Sequence, residues 1–206
     1  MRRLVLLMLA LVLVPAGAAI AVPAATPLPL SARVLRAGEF KGFRPAQTTL
    51  YKKARNWISD GTGLTRTQVA ARTVRLKRGG FVALLSERLI ATSGVRDRAA
   101  LSWVMQLGSA RAARTELAAA VRDSAADGRR TGHRYVAFRV SGIPGARGFR
   151  LTSPGSAGER VMFADGPFVY LVGTAWDPFT NHPPARVKLL AAARTLYRRV
   201  HGRPLA

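Results

Sequence analysis

Hydrophobic and polar positions are most informative in residues 159–176, ERVMFADGPFVYLVGTAW, where two apolar runs flank Asp165-Gly166 and predict a central β-hairpin. Pro167 lacks the N–H that would close a two-residue loop, so the pattern predicts the longer loop 164–167 with Phe163 opposite Phe168. In that register Val161 and Tyr170 share one face. Met162, Val169 and Leu171 line the other face, with Arg160 near its end. A strand pair apolar on both faces belongs inside a sheet covered on both sides, so the rest of the chain must supply neighbouring strands and covering helices.

Two further strands are read from period-two alternation at residues 80–87 and at Leu101, Trp103, Met105 and Leu107. Helical spacing puts Leu50, Ala54, Trp57 and Ile58 on one face of a first helix, which stops at residues 60–63. Thr65 as N-cap, Gln68 three residues later, and Leu64 against Val69 mark the start of a second helix. Lys77 and Arg78 suit its last turn, with Gly79 as the left-handed stop. Ser109 caps a third helix whose apolar face is Ala113, Leu117, Ala120 and Val121. Strands return at 134–140 and 148–152 around a turn at 142–145, and SPGSAG at 153–158 reads as a polar loop into the hairpin. Pro184 suits the first turn of a last helix, with Val187, Leu190, Tyr197 and Val200 as its apolar side.

The order α-α-β-β-α-β-β-β-β-α predicts an α+β fold, a mostly antiparallel sheet of about six strands with helices on both faces. One domain is expected over 47–203, after a linker-like lead-in at 26–46 from which Phe40 and Phe43 fold onto the body. Residues 1–25 are set apart. Arg2 and Arg3 precede an unbroken apolar run at 4–14, and small-x-small sites follow Pro15, a secretory signal pattern with cleavage expected near Ala18, Ala21 or Ala25. The rival reading is an uncleaved anchor, since residues 4–22 carry no charge and match a bilayer core of about 30 Å. Either way the address is extracytoplasmic.

Composition changes that picture in two respects. The chain has no cysteine, which removes disulfides, thiol catalysis and thiolate metal sites, so packing must hold an exported domain together. Lys+Arg number 33 against 10 Asp+Glu, a formal charge of +23. Such an excess attracts polyanions, which outside the cytoplasm means anionic lipid or wall polymer. The basic residues are spread along the chain and show no specific nucleic-acid signature, so a plain compositional bias explains them as well. The last helix carries the polyanion candidates Arg186, Arg194, Arg198 and Arg199.

Catalytic chemistry finds little support. His133, His182 and His201 lie far apart in sequence with no second ligand at helical or strand spacing, so no metal site is expected. Asp177 and His182 share a loop with Thr180 and Asn181, but no G-x-S-x-G elbow accompanies them. The runs GIPGARGF and SPGSAGE lack the lysine and the strand-loop-helix setting of a phosphate-binding loop, and no cofactor is called for. Trp103, Phe138, Phe163, Phe168 and Tyr170 are the candidates for lining a pocket, and core packing is the competing account of the same five rings.

The segments GFVALLSERL, VSGIPGARGF and RVMFADGPFVYLVG resemble parts of uncharacterised exported proteins and lipoproteins of high-G+C Gram-positive bacteria, some assigned to the Mog1/PsbP-like α/β/α class. That resemblance implies a fold and an envelope address, and brings no catalytic residues with it. The function expected is therefore a non-catalytic envelope domain that binds a ligand or partner. A hydrolase of envelope material and an electrostatic binder of polyanions are the alternatives.

Overall fold

In the computed structural model, which describes residues 28–60, 64–92, 98–178 and 186–202, the hairpin lies in the middle of a seven-stranded antiparallel sheet. The strands are β1 (Phe43–Tyr51), β2 (Ala83–Ala91), β3 (Arg98–Gln106), β4 (Arg134–Phe138), β5 (Arg147–Ser153), β6 (Ser156–Asp165) and β7 (Phe168–Trp176). Their order across the sheet is β1-β2-β3-β7-β6-β5-β4. The helices are α1 (Ala54–Asp60), α2 (Arg66–Arg78), α3 (Ala110–Arg130) and α4 (Arg186–Val200), preceded by a 3₁₀ turn at Leu30–Arg33. The signal-like segment, the Gly61 turn and the loop with Thr180, Asn181, His182 and Pro184 lie outside the described residues.

The strand beyond the expected six is β1, which occupies what reads in sequence as lead-in and helix start. Pro45 argues against a strand unless the strand is an edge, and β1 is one, with a bulge between Pro45 and Gln47. Leu50 consequently sits on that edge strand at 50% exposure instead of on the first helix, whose buried residues are Ala54 and Ile58. Nor is the lead-in a linker. Val34, Leu35 and Phe40 are buried in the core, and the Leu35 N–H donates to Ser102 Oγ at 3.0 Å.

The hairpin closes one step tighter than the proline argument allows. Asp165 pairs with Phe168, Phe163 with Tyr170 and Met162 with Leu171, leaving only Gly166 and Pro167 in the loop, with Gly166 at φ 54°. The donor that closes a two-residue loop belongs to the residue after it, here Phe168, so a proline in the second loop position removes no required N–H. The pairing is two residues away from the expected one. Because side chains alternate with period two, every residue keeps its expected face. SPGSAG is likewise shorter as a loop than it reads: Ser153 pairs with Ser156 across Pro154-Gly155, and Ser156 already belongs to β6.

Two cores follow from this. On one face Val161, Phe163, Phe168, Tyr170 and Val172 pack with Val34, Leu35 and Phe40 and with Leu189, Ala192, Ala193, Leu196 and Val200 of α4. On the other, Trp103, Met105, Met162, Val169 and Leu171 pack with α1, α2 and α3. Helices thus cover both faces. The buried stripe of α4 differs from the expected one: Val187 is 68% exposed, and the alanines that replace it inside let the helix lie close to the sheet. The α2 start is as expected, with the reciprocal Thr65–Gln68 capping box. Its stop is displaced by one residue. Gly79 has φ −74°, and it is Gly80 at φ 68° that turns the chain, with Gly80 N–H donating to Lys77 O and Phe81 N–H to Leu76 O.

Phe168 is 2% exposed, its ring 6.2 Å from that of Tyr170 and 4.0 Å beneath the Arg33 guanidinium. Arg33 is itself fully buried and donates to the Tyr170 hydroxyl at 2.9 Å. Phe168→Ala therefore removes a packed ring and uncovers a buried cation, and is expected to cost about 3–5 kcal/mol in chemical denaturation. An unchanged midpoint would show that this ring is not core.

Candidate functional site

The two faces are closed to different degrees. Among the described residues α4 and the lead-in cover the first face with continuous apolar packing. On the second face α3 lies over β6, β7 and β4, while α2 packs chiefly on α1. Between α3 and the α1–α2 pair the sheet stays partly uncovered, and a cleft of about 700 Å³ opens there. Its apolar lining comes from Trp57, Leu101, Trp103, Leu151, Met162 and Leu171. Trp57 and Trp103 meet edge to face, with ring centroids 5.8 Å apart. A second hollow of about 310 Å³ adjoins it over β3, β7 and β6 and shares Leu101, Leu171, Arg160 and His133 with it.

Ion pairs tie α2 to α3 across this cleft. Arg75 donates to Glu116 at 2.8 and 3.0 Å and to Asp123 at 2.8 Å. Arg72 reaches Asp127 at 2.6 Å and Asp123 at 3.2 Å. Burial works against the charge of Arg75, but Glu116 and Asp123 outweigh it and hold its pKa above the ordinary value. Arg130 lies 3.6 Å from Asp127, so each basic residue that the helices contribute to the cleft wall has an acid beside it.

Arg160 differs. It projects from β6 on the same face as Met162, directly opposite Gly173 of β7, and lines both parts of the cleft. Among the described residues no carboxylate, carbonyl or ring pairs with it. Its side chain is exposed along the open cleft, while the protein around it partly desolvates the guanidinium and pushes its pKa below the ordinary arginine value. Gly173 makes room for it: a Cβ there would stand 3.4 Å from Arg160 Cγ and 3.3 Å from the carbonyl of Glu159. The neighbouring Glu159 points to the opposite face, is 1% exposed, and receives both Arg150 at 2.7 Å and Arg186 at 2.6 Å. The same strand thus gives one buried acid two guanidinium partners and one guanidinium exposed in the cleft none.

His133 completes the cleft edge. Its Nδ1 lies 2.8 Å from Thr131 Oγ1 and its Nε2 3.1 Å from Ser153 Oγ. Thr131 donates to the Asp127 carbonyl at 2.7 Å, so its oxygen accepts from Nδ1–H and leaves Nε2 to face the serine. Among the described residues no carboxylate orients the ring, and the carbonyls of Pro154 and Ser156 compete for the Ser153 proton at 3.3 Å each. That is a weak base-nucleophile pair. No group of three His, Asp or Glu among the described residues could hold a metal ion.

The expected site residues are not brought together. Of the five aromatic candidates, Trp103 lines the cleft, whereas Phe163, Phe168, Tyr170 and Phe138 belong to the opposite core. Of the four arginines of α4, three make contacts that hold the fold. Arg186 lies 4.2 Å over the Phe138 ring besides binding Glu159, and Arg194 donates to the Ser141 carbonyl at 2.9 Å. Arg199 pairs with Glu39 at 2.8 Å and donates to the carbonyls of Ala32 and Val34. Arg198 is exposed and reaches only Thr195 on its own helix, at 3.5 Å. Arg160 was missed as a site residue, although its signal was present: a charge sharing a strand face with Met162 in a hairpin apolar on both faces.

No protein-family profile matches the chain, and no curated protein matches it. Among solved structures it is similar to the extracellular domain of PknH from Mycobacterium tuberculosis, at 13% identity and a TM-score of 0.50, over 85% of this chain and 100% of that one. At that identity the likeness is one of fold.

The α2–α3 bridge is testable by itself. Glu116 is nearly buried, so Glu116→Gln leaves Arg75 with Asp123 alone and is expected to destabilise by about 1–3 kcal/mol in urea denaturation. The difference should shrink in high salt, and a variant as stable as the parent would show that the bridge does not hold α2 in place.

Proposed function

We propose that the chain is an exported, non-catalytic binding domain of the cell envelope, and that the cleft between α3 and the α1–α2 pair holds its ligand. One observation carries this reading: the sheet face is apolar, faces a cleft of about 700 Å³, and is left open by helices bridged through charges. A volume of that size and an apolar lining with a few placed polar groups are what small-molecule sites have in common. Export is supported by the N-terminal charge and apolar pattern, and by the extracellular source of the similar PknH domain. No helix among the described residues is long and apolar enough to cross a membrane. The finer fold reading, kinship with the Mog1/PsbP-like α/β/α class, rests on helices covering both faces of an antiparallel sheet.

A hydrolase reading draws on the Ser153–His133 contact. It is the weaker of the two, because among the described residues the imidazole has no carboxylate partner and two carbonyls of its own turn compete for the serine proton.

The uncharged fluorophore N-phenyl-1-naphthylamine brightens in apolar surroundings and tests the cleft alone. It is expected to bind saturably at one site, and Ala120→Trp or Ser124→Trp, which place an indole from α3 into the cleft, should abolish binding while the variants melt as the parent does. No saturable binding, or binding indifferent to both substitutions, would remove the cleft as the ligand site.

A further inference from the structure

Resting on that reading of the cleft, we propose that its ligand is an amphipathic anion, with one carboxylate or phosphate head set against Arg160 and an apolar body lying over Leu101, Trp103 and Leu171. Arg160 keeps water on its exposed side, yet it stands on an apolar sheet face where no protein acceptor among the described residues meets its guanidinium, so an anionic head entering the cleft finds its donors free. A methionine or leucine in its place would continue the core that Met162 begins on the same strand.

Four acids line the same cleft: Glu116, Asp123 and Asp127 are engaged by Arg72, Arg75 and Arg130, and Asp60, at the end of α1, is hydrogen-bonded with Tyr51. The α2–α3 wall is locally compensated, so among the described residues the arginine of the cleft left without an ion-pair partner is Arg160, and Arg88, exposed like it, lines the adjoining hollow. The guanidinium fork suits an oxyanion in two-point geometry, and the apolar cleft walls beside it favour such a pair over one on open surface. The small residues around it, Gly158, Gly173 and Ala175, leave space where a head can sit. Aromatic and aliphatic side chains take up the floor beyond Arg160, where a methylene chain gains by burial and a second charge would not.

A chain with a formal charge of +23 attracts any anion, so the experiment must separate the cleft from the surface. Displacement of N-phenyl-1-naphthylamine at neutral pH and about 1 M salt, where the Debye length is ~3 Å, does so. Decanoate and decyl phosphate are expected to displace it at concentrations about tenfold or more below 1-decanol, the chain of equal length without a charge. Arg160→Gln should erase that advantage and leave 1-decanol unchanged, while Arg160→Lys keeps part of it. The tighter of the two anions identifies the head. Equal displacement by the anions and 1-decanol in the parent protein overturns the proposal, as does an Arg160→Gln variant that still prefers the anions. Should Arg160→Gln not fold, the ratio in the parent still decides. Failure of the fluorophore itself to bind is a different result, which removes the cleft reading and this inference with it.

Discussion

The pairing of β6 with β7 puts apolar side chains on both faces of the sheet at once, and each face then has to be covered. On the α4 side, small residues and a stack of rings close the space. Phe163 and Tyr170 lie 4.7 Å apart and nearly parallel, with Tyr197 of α4 edge-on to Phe163. Desolvation, the largest influence, pushes the Tyr170 hydroxyl up to about 12, as expected for a phenol inside a sealed core. On the other side three helices share the work, and Arg72 and Arg75 bridge α2 to α3. Two helices bridged by long charged side chains stand further apart than two packed helices, and the cleft lies in that separation.

The arginine excess takes on meaning once individual partners are known. Arg33, Arg150, Arg186 and Arg199 act as core or near-core donors, each filling acceptors that would otherwise be buried without a partner. Arginine suits that work, since its stem packs like an aliphatic chain while its fork serves several oxygens at once. The polyanion expectation for α4 loses most of its material for this reason: three of its four arginines already have structural partners, and only Arg198 points into solvent with a weak contact on its own helix. Arg160 is conspicuous against that background because it stands on the apolar floor of the cleft, open to solvent and without such a partner.

Local rules carried a large part of the fold. The capping box at Thr65, the Ser109 cap and the two faces of the hairpin are set by neighbours in sequence, and they are found where the pattern puts them. The hairpin faces survived a wrong loop length because the error was two residues, a full side-chain period. What local pattern did not reveal depended on tertiary position. Pro45 is compatible with β1 only because that strand is an edge, and the alanine-rich stripe of α4 wins over Val187 only because the sheet lies close beneath it. The cleft was illegible for a similar reason. Trp103 and Arg160 are far apart in sequence and meet over one floor only because β3 and β6 flank β7.

The account stands or falls on where an anionic amphiphile sits. A crystal structure of the protein grown with decanoate tests that directly. The carboxylate is expected within hydrogen-bond distance of the Arg160 guanidinium, with the chain running over Leu171 towards Trp103 and the Arg75–Glu116 and Arg72–Asp127 pairs still in place. An empty cleft with decanoate held by Arg198 or other surface arginines would contradict it, and would return the charge of this chain to a matter of composition.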